Sequence, residues 1–446
     1  MDATDAEPAA RPAPPRALGF SAVVAVLVGN MVGTGVFTSL GFQARDLHTP
    51  LALLLLWVVG GLAACCGALA YAELGAALPR SGGEYVYLGR AFHPFAGFLG
   101  GWVSMTAGFA APIALAGIAF GRYAAAVVPG VRPLPASLAL VAAAAALHAG
   151  RLTAGRRVQV ALTGVNLLLI AAFVAAGVAR GAEPVPLAPT AEVWREAASP
   201  NFAVSLIYVG YAYSGWNAAG YVAGEIRDPA RNIPRALVTG TAVVTAAYVL
   251  LNYTFLRVVP LGELPGVVEV GALAARRALG PAGGVVASAL IALLLVATVS
   301  GMLLAGSRVT QAVAADLGGA RGLGRRAAGG APRNAVLLQA ALVGALLLTN
   351  SFERVMAYAG FTLVLSSALA VAGVFALRWR EPALPRPYRT WGYPVTPALY
   401  LLVSGWTLAF VLAERPAESL LGLATVLAGA PVWWLARRRR AGELPV

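Results

Sequence analysis

Runs of about twenty mainly apolar residues recur along nearly the whole 446-residue chain. This is the length a helix needs to cross a bilayer's hydrocarbon, and its repetition limits the fold more than any other feature. Backbone in lipid has no water to bond to, so it must close its hydrogen bonds within a helix or a barrel. Counting apolar runs against turn and charge signals predicts about twelve spans. They fall near residues 17–40, 51–77, 95–123, 134–149, 158–179, 201–224, 235–258, 284–311, 333–350, 354–378, 396–413 and 418–436. The chain is 59% hydrophobic and 12% charged, which is far too apolar for one soluble core.

The net charge of +14 comes from arginine alone, since the chain has no lysine. These arginines sit in short loops between spans rather than in a stripe with interleaved aromatics, so membrane orientation explains them and nucleic-acid binding does not. Alternate loops hold about 23 and about 10 of them. The richer set comprises both ends of the chain and the loops with Arg80, Arg156, Arg231, Arg325 and Arg386, placing both termini in the cytoplasm. Residues 1–16 have no signal-peptide pattern and read as a disordered cytoplasmic tail. Residues 437–446 form a second tail, anchored near acidic lipid by Arg437 to Arg440. The segments Ala182 to Ser199 and Leu264 to Leu279 read as short interfacial helices between spans.

Chemistry of the enzymatic kind has little support. Cys65 and Cys66 are adjacent in an apolar run and suit neither a strain-free disulfide nor a metal pair. His48, His93 and His148 are scattered, and no nucleophile, metal cluster or carboxylate pair occurs together. No metal, cofactor or enzyme activity is expected.

Two spans are interrupted near their middle. The first reads Gly29-Asn30-Met31-Val32-Gly33-Thr34-Gly35-Val36-Phe37, and the second reads Tyr211-Ala212-Tyr213-Ser214-Gly215-Trp216-Asn217. A helix broken in lipid leaves N–H and C=O groups that protein, water or ligand must satisfy, so matched breaks mark a midplane site. At the first, the amides of Thr34, Gly35 and Val36 would open a second half-helix whose positive end suits a carboxylate. At the second, carbonyls near Tyr211 and Ser214 suit an ammonium group. An α-amino acid zwitterion fits both, and a valine at Gly35 is expected to crowd its carboxylate. The competing reading is that such glycines only let helices pack closely.

The first break starts inside the cell and the second, after five crossings, starts outside. This predicts two inverted five-helix repeats, over residues 17–180 and 181–380, with two further helices at 381–436.

Four motifs in order resemble the amino acid/polyamine/organocation superfamily: Gly33-Thr34-Gly35-Val36-Phe37; Pro79-Arg80-Ser81-Gly82-Gly83-Glu84-Tyr85 before Gly101-Trp102; Tyr213 to Asn217 leading to Glu225-Ile226-Arg227-Asp228-Pro229 and Asn232-Ile233-Pro234; and Arg386-Pro387-Tyr388 with Trp391-Gly392-Tyr393-Pro394. The second break and the last motif are most similar to its L-type amino acid transporter branch.

The resemblance implies an all-α membrane protein of LeuT-type fold, with twelve helices of which the first and sixth are discontinuous, and alternating-access transport across the plasma membrane. It assigns carboxylate binding to Thr34 and Gly35, amino-group binding to carbonyls of Met31, Tyr211 and Ser214, and closure over the substrate to Tyr211. Met302 matches a position facing the substrate side chain. Asn30 and Asn217 lie beside the breaks, where each amide needs a partner: the ligand or freed backbone. Glu73, Glu84, Glu225, Asp228 and Arg231 fall at cytoplasmic helix ends and loops as candidate ion pairs of an inner gate.

The pattern departs from the family at Asn166, which stands where many members carry a coupling lysine. An amide cannot take up a proton, so exchange or uniport is expected over proton symport. Thr298 and Ser300 are weak candidates for a sodium site. The loop Val128 to Leu134 lacks the cysteine that links animal L-type transporters to a partner, so no disulfide-linked heavy subunit is expected. No acid or base is visible in the pocket segments, which favours a neutral amino acid over a cationic amino acid or polyamine. A channel or non-translocating sensor is the alternative from another class.

Overall fold

The computed structural model describes residues 18–149, 156–180, 185–316, 332–349 and 351–442. Among them the protein is helical throughout, apart from one parallel bridge between Leu18 and Ile226. The helices are α1 (Phe20–Met31), α2 (Thr34–Gln43), α3 (Pro50–Ala77), α4 (Glu84–Ala91), α5 (Pro94–Val103), α6 (Ala110–Val127), α7 (Pro133–Ala149), α8 (Arg156–Arg180) and α9 (Ala191–Ala197). They continue as α10 (Pro200–Tyr213), α11 (Ala218–Tyr221), α12 (Pro229–Val258), α13 (Val270–Asp316), α14 (Arg333–Leu348), α15 (Phe352–Arg380), α16 (Val395–Glu414), α17 (Pro416–Leu427) and α18 (Gly429–Gly442). Eight stretches in the described residues are long and apolar enough to cross a membrane, and Pro133–Ala149, Leu167–Arg180 and Arg333–Leu348 are shorter apolar helices.

Local sequence sets many of the starts. Pro50, Pro94, Pro200 and Pro229 lie in first turns, where the missing N–H costs nothing. Ser199 Oγ accepts from Phe202 N and His93 Nδ1 from Phe95 N, each satisfying one orphan amide. The tails 1–16 and 443–446, and the loop with Arg325, lie outside the described residues.

Three features differ from the sequence reading. A helix, α4, fills the connection between α3 and α5; at eight residues it is too short to register as a span. The segment read as ending at Leu279 runs on into the next span, turning only at Gly280 (φ 78°) before Pro281. The last span divides at Ala428 into α17 and α18.

The candidate inner-gate residues have differing surroundings. Glu73 and Glu84 are not solvated: each is 2% exposed. Glu73 takes a two-pronged bond from Arg378 (2.9 and 2.6 Å) and a third from Thr390 N (2.6 Å), with Arg386 Nε at 3.3 Å. Arg386 also donates to the carbonyls of Leu377 and Glu381, closing the end of α15. The Arg386–Thr390 stretch thereby fastens α15 to α3. Glu225 and Arg231 are exposed, and no ion pair joins them among the described residues. Backbone does the tying instead: Leu18 N donates to Glu225 O (3.0 Å) and Arg227 N to Leu18 O (2.8 Å). On the opposite side Glu353 collects Arg45 (2.6 Å) and Arg415 (2.7 Å).

Candidate functional site

Helix α1 stops at Met31 and α2 starts at Thr34. Between them Val32 (φ −76°, ψ 94°) and Gly33 (φ −144°, ψ −149°) are extended. Among the described residues no acceptor faces the amides of Thr34, Gly35 and Val36, and Gly33 provides no side-chain cap. Three N–H groups thus sit at a buried, partly positive helix end. A Cβ added at Gly33 would meet nothing within 4 Å. Gly33 and Thr34 border a narrow cavity whose far wall is Ala119, Ile291, Leu294 and Leu295.

The second interruption is of another kind. From Ser214 to Asn217 the chain tightens to a 3₁₀ turn, with Tyr213 at φ −87°, ψ −6°. Ser214 N and Ser214 Oγ (2.8 Å) both donate to Tyr211 O, and Ala218 N reaches Gly215 O. The two interruptions are pressed together: a Cβ on Gly215 would lie 2.4 Å from the carbonyl carbon of Asn30.

Of the expected ligand residues, Thr34 and Tyr211 do meet, with Thr34 Oγ1 and Tyr211 OH 3.3 Å apart and both side chains buried. Val36 is fully buried in α2. Gly35 faces elsewhere than expected: its added Cβ would strike Ala212 Cβ at 2.7 Å, so it sets the approach of α2 to α10. A valine there would push two helices apart before it crowded any ligand. Asn30 Nδ2 turns back to Val26 O (2.8 Å). Asn217 Nδ2 turns to Glu84 Oε1 (2.9 Å). Met302 is half-buried on α13 and is not among the residues around the cavity. The side chain of Asn166 lies outside the described residues.

Two of the three carbonyls expected to hold an ammonium group, those of Tyr211 and Met31, already have partners. Tyr211 O is doubly bonded as above, and Met31 O accepts from Tyr248 OH, which also reaches Ala212 O (3.2 Å). Tyr248, fully buried on α12, therefore bridges the two interruptions. Sequence reading missed it, although a tyrosine in the middle of an apolar span is itself a signal, because a buried phenol needs a bonding partner. Trp57 and Tyr213 surround it, and Tyr213 OH donates to Trp57 O (3.1 Å).

A polytopic helical protein with a stripped helix end buried beside a narrow cavity has the build of a membrane transporter for a small anionic or zwitterionic solute. The family model described as amino acid permease matches residues 18–429, and the chain belongs to that family, which is one of transporters and not of enzymes. The human protein named large neutral amino acids transporter small subunit 2 is 29% identical over 438 residues, covering 94% of this chain and 80% of that relative. Mouse Asc-type amino acid transporter 1 is 28% identical over 434 residues, with 94% and 80% covered. The serine/threonine exchanger SteT of Bacillus subtilis (strain 168) is 26% identical over 430 residues, with 95% and 97% covered.

Proposed function

We propose that the protein moves a neutral L-amino acid across the plasma membrane by exchange, with the carboxylate on the amides of Thr34, Gly35 and Val36. The observation that carries this reading is the set of buried amides without acceptors at the start of α2. The cavity beside them is bordered by no acid or base, which favours a neutral side chain over a cationic amino acid or polyamine. The ammonium group takes the second lone pair of Met31 O, and Tyr211 closes over the ligand through Thr34. Relatives named as neutral amino acid transporters and as an exchanger support both substrate and mode.

The architecture we infer is the LeuT-type one: twelve spans in two inverted five-helix repeats (17–180 and 181–380) plus two, with both termini cytoplasmic. Eight long apolar stretches, the three shorter ones and interrupted α10 add up to that number. One relative is named a small subunit. In this chain the only cysteines, Cys65 and Cys66, both lie within α3, so any partner is held without a loop disulfide.

The test is counterflow. Liposomes carrying the protein and loaded with an unlabelled neutral amino acid should take up a labelled one faster than empty liposomes; equal rates reject exchange, and no uptake of any neutral amino acid rejects the reading.

A further inference from the structure

The cavity that Gly33 and Thr34 border is small. Its volume of about 10 Å³ is close to what one water molecule needs. The backbone of a ligand finds room next to Gly33, where a Cβ would meet nothing within 4 Å. The ligand side chain has less choice, since it must enter between α2 on one side and α6 and α13 on the other. How large a side chain fits is decided by how far those walls yield.

The walls are backed by further layers. Phe37 leans on Phe173 of α8, with ring centroids 6.3 Å apart, and Phe173 in turn meets Phe255 of α12 edge-on at 5.8 Å. Behind Ile291 and Tyr123 lies the backbone of Gly271: a Cβ there would stand 2.9 Å from Ile291 Cδ1 and 3.4 Å from both Phe37 Cδ1 and Tyr123 OH. Phe37, Tyr123, Ile291, Leu294 and Leu295 are each no more than 4% exposed. A wall packed in this way admits extra methylenes only by forcing side chains off their preferred rotamers. A roomier cavity of about 50 Å³ gives no relief, because it follows the opposite face of α10 along Leu206, Gly210 and Ser214 and shares no lining residue with the first. Two hydroxyls do line the small cavity. Thr38 Oγ1 donates to Thr34 O (2.7 Å) and Thr298 Oγ1 to Leu294 O (3.1 Å), so each oxygen keeps lone pairs that accept a hydrogen from a ligand hydroxyl.

We propose that these walls restrict the ligand to neutral amino acids with side chains no larger than that of threonine, and that Leu294 sets the limit. Ile291, Leu294, Leu295 and Thr298 follow one face of α13 at helical spacing, and Leu294 stands in the middle of that face, across from Gly33 and Thr34. Serine and threonine fit as well as alanine, since their hydroxyl meets the oxygens of Thr38 and Thr298; leucine and phenylalanine meet the backed wall. The proposal rests on the exchange reading above, with the carboxylate on the amides of α2.

The test uses the same liposomes, loaded in turn with each member of a series running from glycine, alanine, serine and threonine to leucine and phenylalanine, and offered the same amino acid labelled. In the wild type, alanine, serine and threonine should half-saturate exchange at concentrations at least about tenfold below those of leucine and phenylalanine. Leu294→Ala trims the wall and should narrow the gap between serine and leucine to within about threefold. Where that variant fails to fold, Leu294→Val should move the gap in the same direction by less. Leucine or phenylalanine handled as well as serine by the wild type overturns the proposal, as does a gap that the Leu294 variants leave unchanged. If no member of the series exchanges, the exchange reading fails, and the rise that each amino acid gives to the thermal transition in detergent then ranks them. Serine above leucine in that ranking supports the size limit; leucine at or above serine, or no rise with any of them, overturns it too.

Discussion

The two interruptions touch each other and yet solve opposite problems. At Val32 and Gly33 the chain goes extended, strips three amides of acceptors and leaves open space beside Gly33. At Ser214–Asn217 the chain stays wound, keeps its carbonyls bonded and hands the polar work to side chains, with Asn217 reaching Glu84. In the proposed function the first is the end that a ligand completes, while the second is held by the protein's own side chains. Lipid tolerates a broken helix only when something else satisfies its backbone, and here the protein bonds Tyr211 O, Ala212 O and Gly215 O at the second break while three amides at the first have no acceptor among the described residues.

Substitutions can break this contrast, and the largest effect belongs to the crowded side. Gly215→Ala drives a methyl group into the Asn30 and Met31 backbone, which cannot yield as a side-chain tip would. It should cost about 3 kcal/mol or more, read as lost folded yield and an early thermal transition in detergent. Tyr248→Phe comes next, since it strips the shared donor from Met31 O and Ala212 O. We expect about 1–3 kcal/mol of destabilisation, with weakened exchange because both interruptions lose their common support; unchanged unfolding would show that the bridge is idle.

Tyr211→Phe should cost about 1 kcal/mol or less in unfolding, because one bond at 3.3 Å is lost, but it should speed ligand escape and raise the half-saturating concentration. Gly33→Ala has the smallest effect on the fold, within about 0.5 kcal/mol, since its methyl group meets nothing. Its signature is a roughly tenfold weaker affinity at near-normal stability, which is the reverse of Gly215→Ala. Equal behaviour of the two glycine variants would erase the distinction between the sites.

How much of this was legible in the sequence follows from the range of the interactions involved. The stop between Met31 and Thr34 falls where glycine and polar residues interrupt an apolar run, because that signal is local to a few residues. The partners of the polar groups were not legible. Tyr248 and Met31 lie 217 positions apart, Asn217 and Glu84 133, and Arg378 and Glu73 305, so no spacing rule could join them. Glu73 and Glu84 read alike as candidate ion-pair carboxylates; that arginines from α15 and its following loop surround one, and aromatic rings the other, is a property of packing. What a side chain at Gly35 would strike was not legible for a related reason. A glycine beside a break reads equally as room for ligand and as room for a helix, and the neighbour that decides, Ala212, is far along the chain.

The most direct test of the account is a structure of the protein determined with a saturating neutral amino acid. We predict its carboxylate within hydrogen-bonding distance of Thr34 N, Gly35 N and Val36 N, and its side chain toward Ala119 and Leu294. An amino acid bound elsewhere, with those three amides still bare, would contradict it.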